Sequence, residues 1–172
     1  FRRVLFRSVS GDLYDTFNPP AEAVDLFYKT LKRLTNGGKR PIIAIAGNHD
    51  SPDRIESPDP LARECGIIFA GFPNSTVPFF ELETGLKVLN SSEGFLELKL
   101  PDIEVPLRVL LTPYANEYRL KTFLGDRDSE QELRNLLESH WKNLADRFCD
   151  DKGVNILVSH LFMIKKGGPK PE

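Results

Sequence analysis

Apolar positions along the chain repeat in two ways, and the two repeats predict alternating helices and strands. Between residues 19 and 34 they recur every three or four positions, which is the spacing of one helix face: Val24, Phe27, Leu31 and Leu34. Asn18 is the predicted N-cap of this helix, and Pro19 is its predicted first residue. Residues 41–47 follow as a short and continuously apolar run, which is typical of a strand buried on both faces of a parallel sheet.

The alternation continues toward the middle of the chain. Residues 58–65 are predicted to form a short helix, and residues 66–71 a further strand. Together with a strand expected before the loop at residue 11, the order is strand, helix, strand, helix, strand. This order is the signature of an α/β domain.

The second half of the sequence predicts a second sheet and a long helix. Residues 95–100 alternate leucine with charged residues, as in a half-exposed strand, and residues 106–113 form a more apolar strand. Together they are expected to make a second, more antiparallel sheet. Residues 129–148 have the pattern of a long amphipathic helix, and residues 154–158 that of a buried strand that ends just before His160. The predicted fold class is α/β, with two mixed sheets flanked by helices.

Composition limits the class of protein without selecting a function. The chain has 172 residues, of which 40% are hydrophobic and 28% charged, so it is one globular domain with a core and not a disordered segment. The net charge of -2 gives no overall basic field, so a nucleic acid would have to be held by local patches, metal ions or another subunit. Cys65 and Cys149 match no metal spacing, which predicts reduced thiols in a cytoplasmic protein. No apolar run reaches membrane-spanning length, so we expect no transmembrane helix.

Polar residues cluster where three of the predicted strands end. Residues 11–15 read GDLYD, residues 47–50 read GNHD, and Ser159 and His160 follow the last strand. In α/β sheets, ligands gather beyond the carboxyl ends of the strands. Aspartate, asparagine and histidine together suit Mn, Fe or Zn more than Ca, and two such ions roughly 3.5–4 Å apart can hydrolyse phosphate esters. The glycine that opens each loop fits a tight turn with close backbone approach.

Each of these residues also has a simpler interpretation. Asp12 and Asp15 can cap the following helix, because aspartate is a common N-cap. His49 can belong to a turn, and His160 can be a packed histidine at a strand end. His140, in the middle of a predicted helix, is interpreted as structural, and the KKGGPK segment at residues 165–170 as a solvated loop rather than a phosphate contact.

The loop motifs resemble those of a known family. The chain carries GDLYD, GNHD and a strand-end SH, which resemble the second, third and fourth motifs of calcineurin-like metallophosphoesterases. Longer stretches are more similar to SbcD-type nuclease subunits of the bacterial SbcC–SbcD DNA repair complex: GDLYDTFNPPAEA, IAGNHDSPDR, LTPYANEYR and VSHLFM. The resemblance covers the chain from about residue 11 to its end and implies the calcineurin-like sandwich fold.

The resemblance also implies roles for individual residues. Asp12 would bridge two divalent metal ions, most often Mn, and Asn48 and His160 would both be ligands of one of these two ions. His49 would act on the scissile phosphate or the leaving oxygen, with Asp15 orienting its ring. Asp50 would be at most a supporting residue, and no substrate-binding residue is assigned. The implied reaction is Mn-dependent hydrolysis of a DNA phosphodiester by exonuclease and endonuclease activity.

The sequence departs from the family pattern at two places. The family has an Asp-x-His motif in its first strand and a later Gly-His-x-His motif, and neither occurs in these 172 residues. We therefore expect a domain incomplete at both ends, in which residues 1–8 are a linker or non-native and residues 9–172 are a partial nuclease domain. A fragment without these ligands is expected to be inactive on its own.

Partners follow from the same resemblance. It implies DNA, an SbcC-type ATPase subunit, a homodimer of the nuclease subunit and no membrane. Apolar residues such as Leu26 widen the apolar face of the helix at residues 19–34, so part of that face can meet a second copy. Two other hypotheses stay open: a phosphomonoesterase or nucleotide phosphodiesterase of the same superfamily, and a metal-free scaffold that keeps the fold for binding.

Overall fold

The computed structural model describes residues 5–121 and 129–162, which form two β-sheets and five helices. The first sheet has the strand order β1-β2-β3, and both pairings are parallel. Its strands are β1 (Arg7–Ser10), β2 (Ile42–Ile45) and β3 (Ile67–Ala70). Every residue of β2 and β3 is buried, so the prediction of a doubly covered parallel strand at residues 41–47 is confirmed.

The second sheet has four strands in the order β4-β5-β6-β7. They are β4 (Lys87–Ser92), β5 (Phe95–Lys99), β6 (Leu107–Thr112) and β7 (Val154–Ser159). The pairs β4–β5 and β5–β6 are antiparallel, whereas β6–β7 is parallel, so this sheet is mixed. A mixed second sheet was predicted, although β4 itself was not.

The described residues form five helices, most of which pack on the outer faces of the two sheets. They are α1 (Ala21–Leu34), α2 (Pro52–Glu56), α3 (Asp59–Arg63), α4 (Glu117–Leu120) and α5 (Ser129–Phe148). The bounds of α5 match the prediction, whereas α2 was not predicted. Within the described residues, no helix is both long enough and apolar enough to cross a membrane.

Alternation along the strands builds one core between the sheets and one on each outer face. Ile43 and Ile45 of β2 point to the inner core, where they meet Leu96 and Leu98 of β5. On the outer face of the first sheet, residues of β2 and β3 pack with Leu31 of α1. On the outer face of the second, Phe95 and Leu110 pack with Leu144 of α5. Two sheets flanked by helices are therefore confirmed.

Three local predictions were wrong. Helix α1 begins at Ala21 with Pro20 as its N-cap, because a residue that precedes a proline, as Pro19 does, is disfavoured in helical conformation. Asn18 does not cap the helix; its Oδ1 accepts a hydrogen bond of 2.9 Å from the Arg54 guanidinium. Strand β7 is not fully buried, because it is the edge strand of the described sheet, and the exposed fraction of Leu157 is 43%.

Two other predictions concern sheet type and the chain ends. The first sheet is parallel throughout the described residues rather than mixed, because its strands are joined by crossovers that contain helices. Strand β1 includes Arg7 and Ser8, so it crosses the proposed boundary between residues 1–8 and 9–172. The KKGGPK segment lies outside the described residues.

Candidate metal centre

Three predicted loops meet at the carboxyl ends of the strands that carry them. Loop 11–15 follows β1, loop 47–50 follows β2, and His160 follows β7 of the other sheet. A hydrogen bond of 2.8 Å from His160 Nδ1 to the carbonyl of Ser10, the last residue of β1, links the two sheets at this point. The fold therefore brings together residues that are up to 150 positions apart.

Backbone geometry at the start of loop 11–15 makes room for His160. Gly11 has a φ of +92°, and a Cβ atom there would lie 2.0 Å from His160 Nδ1. Asp12 has a φ of 47°, a left-handed conformation that is uncommon for a residue with a side chain and that Asp adopts more readily than most. This geometry supports the prediction that a bulkier residue than Gly11 would obstruct the turn.

The three predicted metal ligands converge on one point. His160 Nε2 lies 2.9 Å from Asn48 Oδ1 and 3.4 Å from Asp12 Oδ1. Because a carbonyl can only accept, the His160 Nδ1–H donates to Ser10, and Nε2 of the neutral ring therefore carries a lone pair. Three electron-pair donors thus face one another, which is an arrangement that a cation stabilises.

The separations of these atoms suit a shared divalent ion. Two ligand atoms that are each about 2.1 Å from one cation lie roughly 3.0–3.4 Å apart at bond angles between octahedral and tetrahedral. The residues present therefore fit a metal ion of the Mn, Fe or Zn type. Across residues 5–121 and 129–162 no group of three or more His, Cys, Asp and Glu side chains forms a metal cluster. The candidate ligand set contains only two residues of these four types, Asp12 and His160, because its third member, Asn48, supplies an amide oxygen.

Gly47 fixes the distance between the two loops. A Cβ atom at this position would lie 2.1 Å from the backbone nitrogen of Asp12 and 2.2 Å from Asp12 Oδ1. The same carboxylate oxygen accepts a hydrogen bond of 3.3 Å from the backbone N–H of His49. Only glycine permits this approach, as the sequence pattern predicted.

His49 is exposed and stands beside the donor cluster without joining it. Its Nδ1–H donates to the backbone carbonyl of Asp15 at 3.0 Å, which leaves Nε2 directed away from that loop. This bond and the nearby Asp12 carboxylate raise the pKa of His49 above its usual value. The sequence analysis expected Asp15 to orient the ring, and the contact that does so is its carbonyl rather than its carboxylate.

Asp50 holds loops 11–15 and 47–50 together. It is fully buried, and its carboxylate accepts hydrogen bonds from the backbone N–H groups of Leu13, Tyr14 and Gly47 at 2.7–3.0 Å. A charged acceptor with this number of donors makes strong hydrogen bonds. Asp50 therefore supports the backbone of both loops, and its supporting role at a metal site stays a prediction.

Sequence reasoning missed two further residues, Tyr114 and Arg119. The Tyr114 N–H donates to the carbonyl of Ala46 at 2.9 Å, and its ring lies 6.4 Å from the His160 ring. The Arg119 side chain is buried and donates to the carbonyl oxygens of Gly47 and Asp50. The only sequence signal for either residue is the LTPYANEYR stretch that contributed to the family resemblance.

Known proteins are similar in sequence to this chain over nearly its whole length. The sequence profile of the family described as calcineurin-like phosphoesterase matches residues 5–161. The D subunit of nuclease SbcCD from Bacillus subtilis (strain 168) is 35% identical over 159 residues, which are 90% of this chain and 36% of that protein. The protein of the same name from Staphylococcus epidermidis is 27% identical over 161 residues, which are 89% of this chain and 34% of that protein.

The chain thus spans about a third of the length of the curated relatives that it matches. Calcineurin-like phosphoesterases are hydrolases that use divalent metals, which agrees with the donor set of Asp12, Asn48 and His160. The profile match covers well over half of the chain, and the sandwich of two sheets agrees with it. The chain therefore belongs to the calcineurin-like phosphoesterase family.

Proposed function

We propose that this chain is part of a Mn-dependent DNA exonuclease and endonuclease that hydrolyses phosphodiester bonds in DNA repair and recombination. The observation that carries the proposal is the convergence of Asp12, Asn48 and His160 within 3.4 Å, with His49 exposed beside them. The names of the two relatives, both of them nucleases, favour DNA over small phosphate esters. The two free cysteines, Cys65 and Cys149, favour a cytoplasmic location.

The three converging residues would hold the metal. Asp12 would bridge two divalent ions, and Asn48 and His160 would both be ligands of the same one of them. When bound, such ions supply positive charge that neutralises a phosphate group and activates water. The hydrogen bond from His160 Nδ1 to the Ser10 carbonyl keeps Nε2 turned toward the ions, since it fixes both tautomer and ring orientation.

His49 would contact the scissile phosphate rather than the metal. The Asp15 carbonyl accepts from Nδ1–H, so the doubly protonated ring can give its Nε2 proton to a phosphate oxygen or to the leaving sugar oxygen and keep the proton on Nδ1. The exposure of His49 leaves this atom accessible to a strand of DNA. Asp15 would act through its backbone in this scheme, as a residue that orients His49.

Activity would require groups beyond those in this chain. Asp12, Asn48 and His160 supply too few ligands to complete two metal sites, so we infer that the 172-residue chain does not turn over substrate on its own. The partners proposed for the complete enzyme are an SbcC-type ATPase subunit and a second copy of the nuclease subunit. The exposed fraction of Leu26 on α1, 67%, supports a contact of that helix with the second copy.

The test compares this chain with a form extended to the length of its relatives. The extended form should cleave duplex DNA with Mn²⁺, and His49→Ala should lower the cleavage rate by about 10²- to 10⁴-fold while Mn²⁺ affinity stays unchanged. His140→Ala, far along α5, is the matched control and should leave the rate unchanged.

Two results would contradict the proposed nuclease, and a third would contradict only the inferred inactivity of the 172-residue chain. Turnover of small phosphate esters without cleavage of DNA would favour a phosphomonoesterase or nucleotide phosphodiesterase. Failure to bind Mn²⁺ stoichiometrically would favour a metal-free scaffold. Robust DNA cleavage by the 172-residue chain would show that its own ligands suffice.

A further inference from the structure

We infer that Arg119 is a positioning residue that fixes the shape of loop 47–50, and through it the direction in which Asn48 and His49 point. The part of this inference that concerns metal binding rests on the proposed function. The part that concerns loop shape does not.

Arg119 forms hydrogen bonds with both ends of loop 47–50. Its Nη1 donates to the carbonyl of Gly47 at 2.9 Å, and its Nη2 donates to the carbonyl of Asp50 at 2.8 Å. The residues between these two carbonyls are Asn48 and His49. One guanidinium therefore brackets Asn48, the proposed metal ligand, and His49, the residue proposed to contact the substrate.

Arg119 is a buried charged residue without an ion pair among the described residues, which is unusual. The exposed fraction of Arg119 is only 5%, and burial lowers the pKa of its guanidinium. Within residues 5–121 and 129–162, no carboxylate forms an ion pair with it. Burial of a charge is costly unless its hydrogen bonds are made, and here backbone carbonyls supply them: those of Gly47 and Asp50 and, at 3.5 Å, that of Tyr114.

The Arg119 residue is itself held in place by contacts with Tyr114 and Asn116. Its guanidinium lies 5.1 Å from the centre of the Tyr114 ring, and the Tyr114 N–H donates to the carbonyl of Ala46. The Arg119 N–H donates to the Asn116 side chain, which caps α4. Arg119 thus joins a segment tied to the end of β2 to the loop that follows the same strand.

The carboxylate of Asp50 completes the arrangement. It binds N–H groups of both loops, while the Asp50 carbonyl accepts from Arg119. The Asp50 carboxylate therefore links loop 47–50 to loop 11–15, and the Arg119 guanidinium links it to α4. Because Asn48 Oδ1 lies 2.9 Å from His160 Nε2, a small rotation of the loop would separate these two atoms.

Lysine cannot make the same contacts. A guanidinium is a planar fork whose two terminal nitrogens reach two acceptors at once, whereas an ammonium is a single point charge. Arg119→Lys keeps the charge and loses the bridge, and Arg119→Gln loses both. The matched control is Arg108, which is also buried but is paired with Glu97 and Asp150.

The experiment measures amide hydrogen exchange and Mn²⁺ affinity of the 172-residue chain under conditions where each variant is folded. In Arg119→Gln, the amides of Leu13, Tyr14 and Gly47 should exchange at least about 10-fold faster than in the wild type, and Arg119→Lys should fall between the two. Amides that pair β2 with β3 should keep their protection. Mn²⁺ affinity should fall by about 10- to 100-fold in Arg119→Gln. Arg108→Gln should change neither the loop amides nor Mn²⁺ affinity.

Two results would overturn the inference. One is wild-type protection of the three loop amides in Arg119→Gln, and the other is full protection in Arg119→Lys, which would mean that charge alone suffices. If Arg119→Gln does not fold, Arg119→Lys decides the matter alone. Failure of the wild-type chain to bind Mn²⁺ would contradict the proposed function, whereas the exchange measurement would still test the role of Arg119.

Discussion

One buried arginine lies within strand β6 and another beyond its end, and their partners differ. Arg108, near the start of the strand, donates to the carboxylates of Glu97 and Asp150. These bonds raise the pKa of Arg108, whereas burial lowers that of Arg119. Arg119, beyond the end of the strand, donates to backbone carbonyls instead.

The difference indicates what each region is built to do. Around Arg108 the charges are balanced and link β5, β6 and the segment before β7, which is a stabilising role. Around Arg119 a cation fixes the shape of one loop, next to Asp12 with its left-handed backbone. Backbone strain and buried charged groups are typical of functional sites, so the site end should respond to mutation in metal binding as well as in stability.

The largest expected effect comes from filling the contact between the two loops. Gly47→Ala would place a Cβ 2.1 Å from the backbone of Asp12, which cannot move without displacing the loop. We expect a loss of about 3 kcal/mol in the free energy of unfolding, measured by urea denaturation, and loss of Mn²⁺ binding measured by calorimetry.

Gly153→Ala is the matched control at the Arg108 end. There the new Cβ would lie 2.8 Å from Arg108 Nη1, the tip of a flexible side chain that can move aside. The expected loss is about 1 kcal/mol with unchanged Mn²⁺ affinity. Equal effects of the two variants would remove the distinction between the two regions.

A smaller effect is expected from Asp50→Asn. The carboxylate accepts from the backbone of both loops, and an amide in its place would turn an N–H₂ group toward those donors. Urea denaturation should show a loss of about 2 kcal/mol in the free energy of unfolding, and calorimetry a Mn²⁺ affinity about 10-fold lower. The exposed Asp53→Asn should change the free energy of unfolding by no more than about 0.5 kcal/mol.

The contrast between the regions also shows what could be predicted from the sequence. The strand at residues 41–47 and the helix at 129–148 were predictable because their apolar spacing is decided locally. The burial of β7 was not, since exposure depends on the neighbours of a strand in the sheet and not on its own residues. Asn18 was wrongly assigned to a helix cap. Its actual partner, Arg54, lies far away along the chain, and local sequence does not reveal such a contact.

At the candidate site, residue types were predictable and their supports were not. The motifs pointed to Asp12, Asn48 and His160, whose donor atoms do converge, although the roles of these residues stay predictions. Arg119 lies 69 residues from its acceptor Asp50, in a short helix without a recognisable motif of its own. Buried support of this kind depends on tertiary contacts and so leaves little periodic signal in the sequence.

The smallest expected effect belongs to the Arg108 end and depends on pH. The hydrogen bond from Arg108, and a weaker one from the Lys152 N–H, lower the pKa of Asp150 in the folded state. Because the folded pKa lies below the unfolded one, the contribution of Asp150 to stability is present above the ordinary aspartate pKa of about 3.9 and is lost as the pH falls through the folded value. The other charges facing this group are Glu97, which shares Arg108, and Lys152.

The wild type should therefore be more stable than Asp150→Asn near neutral pH, and the difference in the free energy of unfolding should disappear in acid. Urea denaturation of both proteins between about pH 3 and 7 measures that difference, with the exposed Asp151→Asn as the control for a surface charge. Mn²⁺ affinity should be the same in all three proteins at neutral pH, because Asp150 contacts neither loop of the candidate site. A difference that grows as the pH falls would reverse the sign of the linkage, and a change in Mn²⁺ affinity would show that the two ends of β6 are coupled.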